Sequence, residues 1–121
     1  MTGNALHDKS LLFAVRTVNF YNFLTEQKKE FVISKQILRS GTSIGANIRE
    51  RKNAESSSDY VHKLSIALKE ADETKYWLEV LSLSKLIEEN EYYSMNNDVK
   101  ELIALLTSIN IKNKEQDKRI T

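Results

Sequence analysis

From residue 64 to residue 109 the apolar and small positions of this chain step by threes and fours. Leu64, Ala67, Ala71, Thr74, Leu78 and Leu81 form one series, and Tyr92, Met95, Val99, Leu102, Leu106 and Ile109 a second. That spacing keeps each series on one side of an α-helix. A helix with such a seam buries it against other helices by knobs-into-holes packing. Alternation of the strand type is sustained nowhere, proline is absent and there are only three glycines. The expected fold class is therefore all-α, an up-down-up-down antiparallel four-helix bundle in a single domain spanning residues 1–121. Helices are expected over residues 8–28, 33–54, 59–86 and 90–114, with a disordered polar tail at 115–121. The three short connections make consecutive helices antiparallel neighbours.

The first helix, capped by Asp8 or Ser10, carries more apolar surface than one core needs. Leu11, Val15, Val18 and Asn22 form one stripe, and Phe13, Phe20 and Leu24 form another on nearly the opposite side. On helix three, Tyr76, Trp77 and Val80 lie beyond the seam. We read Phe13, Phe20, Leu24, Tyr76, Trp77 and Val80 as a subunit interface, since monomers rarely expose apolar patches beyond a few hundred Å². The expected partner is a second copy of the chain.

Helix two holds two glycines, Gly41 and Gly45, beside an apolar face of Ile33, Ile37, Ile44 and Ile48. Glycine costs about 1 kcal/mol relative to alanine inside a helix. Its presence twice implies either close approach of a neighbouring backbone, expected to be helix three, or a break in the helix. Asn47, on the flank of that face, is expected to be partly buried and bonded to Glu70 or Glu73. Ser34 is the expected cap of helix two, and Ser56 with Asp59 has capping-box spacing at the start of helix three.

Charge is unevenly spread. Residues 31–54 hold Lys35, Arg39, Arg49, Arg51 and Lys52 against Glu50 alone, a balance of +4. Residues 55–98 hold four lysines against ten acids, a balance of −6. Lys35, Arg39 and Arg49 fall within about 80° of one another, opposite the isoleucines. They form a strip that a phosphate backbone of RNA or DNA could approach, with Arg51 and Lys52 extending it. The same strip also reads as an ordinary solvated face paired with acids of a neighbouring helix.

Other chemistries find little support. The net charge of +1 gives no global field for a polyanion or a membrane. There is no cysteine, and His7 and His62 lie far apart with no paired ligand at metal spacing. The glycines lack the lysine and preceding strand of a phosphate loop. No histidine is placed to activate a serine. No apolar run approaches the roughly 20 residues of a membrane span, and the N-terminus has no signal-peptide core. The chain reads as a soluble cytoplasmic protein that is not an enzyme, with no cofactor, no metal and no small-molecule substrate.

Two stretches carry a resemblance. Ile37-Leu-Arg-Ser-Gly-Thr-Ser-Ile-Gly-Ala-Asn-Ile-Arg-Glu50 and Asp59-Tyr-x-x-Lys-Leu-Ser-Ile-Ala-Leu-Lys-Glu-Ala-Asp-Glu-Thr-Lys-Tyr-Trp-Leu78 resemble the four-helix bundle proteins named after 23S rRNA intervening sequences. Ser43-Ile44-x-x-Asn47-Ile48-x-Glu50 is the most specific part. Many members have proline where this chain has Gly45, and Ala-Glu-Gly where it has Arg49-Glu50-Arg51, so the chain resembles the glycine-bearing branch. The resemblance implies an up-down-up-down bundle, often a ring-like homopentamer, encoded within rRNA genes or elsewhere in bacterial genomes. It also implies kinship with the basic accessory protein of diversity-generating retroelements, which works with a reverse transcriptase and nucleic acid. The near-neutral charge here departs from that protein. Two functions follow as expectations: a homo-oligomeric bundle binding RNA or DNA through helix two, or a protein-interaction scaffold without nucleic acid.

Overall fold

Four helices account for most of the described residues: α1 (Ala5–Glu26), α2 (Ile33–Glu50), α3 (Ser57–Leu83) and α4 (Glu89–Ile120), with a 3-10 turn at Arg51–Asn53. The structure, a computed structural model, describes residues 4–120 and the side chains of residues 4–109 and of Lys112. Among the described residues there is no strand. Each helix packs on the next in sequence, and α1 closes against α4, so α1 and α3 stand at diagonal corners. The all-α bundle expected from the three-four spacing is the fold that forms.

The helix starts follow local chemistry. Asn4, not Asp8 or Ser10, caps α1, accepting the His7 N–H at 3.0 Å. Helix α2 begins without a side-chain cap of its own. Instead the Glu30 carboxylate accepts the N–H groups of Val32, Ile33 and Ser34, while Ser34 donates its hydroxyl back to the Glu30 carbonyl at 2.8 Å. A carboxylate at a helix N-terminus also meets the positive end of the dipole. Ser56 caps α3 by accepting the Asp59 N–H at 3.0 Å, as its spacing predicts.

Helix α3 is closed off by Lys85, two residues past its end, whose φ of 60° is left-handed. The Leu86 N–H reaches the Leu81 carbonyl at 3.0 Å and the Lys85 N–H reaches that of Ser82 at 3.0 Å, a Schellman closure. A left-handed lysine carries roughly 1 kcal/mol of strain that glycine lacks. Lys85→Gly is therefore expected to raise the melting temperature, as thermal circular dichroism would read.

Helix α4 runs to Ile120, past the expected end at residue 114. The backbone expected to be a disordered tail at 115–120 is helical, and Thr121 lies outside the described residues. The physical reason is composition: residues 112–119 contain no glycine or proline and are rich in lysine, glutamate, glutamine and arginine, all good helix formers.

The core is continuous through all four helices. Ile37, Ile44 and Ile48 of α2, Leu64, Leu78 and Leu81 of α3 and Val99, Leu102 and Leu106 of α4 are fully buried. On α1 the buried row is Leu6, Ser10, Phe13, Thr17, Phe20 and Leu24, again stepping by threes and fours. This corrects the assignment of Phe13, Phe20 and Leu24 to a subunit interface: they fill the bundle's own core. The row was obscured because two of its members, Ser10 and Thr17, are polar. Both are satisfied within the helix, Ser10 donating to the His7 carbonyl at 2.9 Å and Thr17 to the Phe13 carbonyl at 2.8 Å.

Those two residues are small because the glycines of α2 press against them. A Cβ at Gly41 would lie 2.7 Å from the Thr17 methyl, and one at Gly45 would lie 3.2 Å from the Ser10 carbonyl oxygen. The close contact is thus between α2 and α1, not between α2 and α3 as expected, and α2 passes through both glycines unbroken. Toward α3, the buried Ser40 and Thr74 hydroxyls meet at 2.8 Å. Asn47 is half-buried and hydrogen-bonded, but to the Ser43 carbonyl of its own helix at 2.9 Å rather than to Glu70 or Glu73.

Candidate interaction surfaces

The basic strip is divided by the fold. Arg39 is taken up by α3: Nη1 lies 3.0 Å from a Glu70 oxygen, and Nη2 pairs with Glu73. Two carboxylates neutralise that guanidinium, so it presents little positive field to a polyanion. Lys35 is exposed at the start of α2, and Arg49 lies fourteen residues further on, about 21 Å along the helix. Arg51 sits in the 3-10 turn with its guanidinium over the Tyr60 ring, 5.8 Å from the centroid, and Lys52 beside it is exposed. Without Arg39 the strip is split in two, with Lys35 at the start of α2 and Arg49, Arg51 and Lys52 together at its end.

Arg49 has a neighbour that sequence spacing could not show. His7, almost fully buried on α1, brings Nε2 to 3.1 Å from Arg49 Nη2, and its Nδ1 lies 3.2 Å from an Asp8 carboxylate oxygen. A neutral ring donating from Nδ1 to Asp8 would accept from Arg49 at Nε2. Beside this contact runs a groove of about 330 Å³ between α1 and α2. It is lined by small residues, Ala14, Gly45 and Ala46, together with Leu11, Thr42 and Arg49. The groove exists because the glycines let α2 approach α1 while leaving no side chains above the seam. Glu50 also lines it, but its carboxylate pairs with Lys63 at 3.1 Å.

Surplus apolar surface on α1 lies on the side away from Phe13 and Phe20, at Val15 and Val18 of the stripe and at Leu12 on its flank, whereas Leu11 is half-buried. Leu12, Val15 and Val18 are 56%, 53% and 43% exposed. On α3, Tyr76 is exposed, Val80 is half-buried and Trp77 packs partly against the core, its indole N–H directed to Glu73 at 3.4 Å. Leu83, at the end of the same helix, is 84% exposed. Tyr76 and Trp77 meet edge to face with centroids 5.0 Å apart. Near this helix, burial raises the Tyr92 phenol above its ordinary range, with Glu79 and Tyr93 adding to the effect.

Among the described residues, no group of three histidines, cysteines or acids is placed to hold a metal ion, and no helix is long and apolar enough to cross a membrane. The family model described as 23S rRNA-intervening sequence protein matches residues 4–108. The chain is also similar to a protein of unknown function from the S23 ribosomal protein family of Bacteroides thetaiotaomicron, whose crystal structure superposes with a TM-score of 0.85 at 60% identity. That match covers 86% of this chain and 96% of the other. No curated protein matches the sequence.

Proposed function

We propose that this chain, which belongs to the 23S rRNA-intervening sequence protein family, is a non-enzymatic helical bundle that acts as a self-assembled interaction scaffold. The observation that carries the reading is the apolar stripe of Leu12, Val15 and Val18 left in water on α1. Covering one such side chain contributes roughly 1.5–3 kcal/mol, so a few per subunit hold an assembly together. Exposed Tyr76 and Leu83 on the diagonal helix supply a second apolar surface on another side of the molecule. Two different surfaces on one subunit favour a head-to-tail contact, which closes into a ring when its rotation permits. Five copies, the number implied by the family resemblance, are one such closure.

The test is the mass in solution by light scattering coupled to size exclusion. The wild type is expected well above the single-chain 14.0 kDa, and Val15→Asp is expected to fall toward it with its helical spectrum intact. A wild type that elutes at 14.0 kDa at micromolar concentration overturns the proposal.

A second reading, binding of RNA or DNA, draws on Lys35, Arg49, Arg51 and Lys52, none of which pairs with a carboxylate among the described residues. Repetition around an assembly would multiply these cations on a nearly neutral chain. Affinity for RNA or DNA that falls steeply with salt supports it, and salt-independent or absent binding by the assembled protein removes it.

A further inference from the structure

We propose that the groove between α1 and α2 is the socket for α3 of a second copy, seated antiparallel to α2 with Tyr76 over Gly45. This rests on the self-assembly reading and adds to it which surfaces meet, in which direction and in which register.

The two rows match position by position. On α2 the groove residues Thr42, Gly45 and Arg49 continue a row that begins one turn earlier at half-buried Leu38, stepping four, three, four. On α3 the fully outward row is Asp72, Tyr76, Glu79 and Leu83, all exposed, with the same steps. Laid antiparallel, one register pairs Asp72 with Arg49, Tyr76 with Gly45, Glu79 with Thr42 and Leu83 with Leu38. Opposite charges meet at one end, the largest side chain meets the position without one, and two leucines meet at the other end.

The charges are available for this pairing. Arg49 engages His7 through Nε and Nη2, leaving Nη1 uncommitted among the described residues. Asp72 and Glu79 form no ion pair among the described residues. The groove volume of about 330 Å³ accommodates a tyrosine ring. Leu11 and Ala14 line the groove from α1, and Val18, four residues after Ala14 on the same side of that helix, is exposed beyond it. The same register brings Lys69 of α3 opposite Lys52, in the 3-10 turn just past the end of α2, a like-charge pair that lies in water, where salt screens it. Since α3 lies diagonally across the bundle from α1, a subunit whose groove is filled still offers its own α3 to the next copy.

Two variants that each block one half of the contact test this. Ala46→Trp places an indole in the groove, and Tyr76→Asp removes the ring and puts a charge over the small lining residues. Both positions are exposed, so circular dichroism should show both folded. Each alone is expected at single-chain mass in a sedimentation experiment, and their equimolar mixture at two-chain mass, because one intact groove and one intact α3 remain. Arg49→Asp and Asp72→Arg should each lose assembly and regain it when combined in one chain. If the wild type assembles but either blocking variant keeps its mass, or the mixture stays monomeric, the pairing is wrong while self-assembly stands. A monomeric wild type would refute both.

Discussion

Gly41→Ala is expected to destabilise the bundle by about 1–3 kcal/mol. Helix propensity alone favours alanine by roughly 1 kcal/mol, so the sign itself is informative. The added methyl would lie 2.7 Å from both Cγ2 and Oγ1 of Thr17 and 3.2 Å from its Cβ. Thr17 is fully buried and its hydroxyl is held by the Phe13 carbonyl at 2.8 Å, so turning the side chain away breaks that bond. Gly41→Leu is expected to cost more, because the longer side chain has the same wall to pass. Thr17→Ala in the Gly41→Ala background should recover much of the loss, a coupling that a double-mutant cycle by chemical denaturation would measure. A raised melting temperature in Gly41→Ala would show that α1 and α2 are not in close contact there.

Leu24→Ala is expected to cost about 2–5 kcal/mol and Phe13→Ala about 3–5 kcal/mol. Leu24 is completely buried and Phe13 is 3% exposed within a single subunit. These losses should persist in a Val15→Asp background, where assembly is removed. If Phe13, Phe20 and Leu24 were instead interface residues, truncating them in that background would change stability by no more than surface substitutions do, within about 0.5 kcal/mol. Unfolding by denaturant in the two backgrounds distinguishes these outcomes.

The helices were legible because their periodicity depends on residue type and spacing alone. The seams of α3 and α4 are apolar almost throughout, and every position of the α3 series from Leu64 to Leu81 is buried. On α1 the same rule misled, because its core row includes Ser10 and Thr17 and so looks weaker than the apolar stripe of Leu11, Val15 and Val18. Only the position of the α2 glycines explains why small polar residues serve the core there. The excess of apolar surface could be counted from sequence, but which stripe faced inward depended on a partner helix. The basic strip was legible as charge and misleading as a site. Whether Arg39 is available depends on Glu70 and Glu73, thirty-one and thirty-four residues away. The groove and the His7–Arg49 contact exist only once α1 and α2 are packed, and no local spacing announces them.

The chain contains no cysteine, so Val15→Cys introduces a single thiol into the stripe on which the assembly reading depends. Its alkylation rate, followed over a dilution series, reports directly on whether another copy covers α1. A covered stripe predicts slow modification at high protein concentration, accelerating on dilution as subunits separate. A thiol that reacts as fast as a free one at every concentration, in protein that is fully folded, would contradict the account.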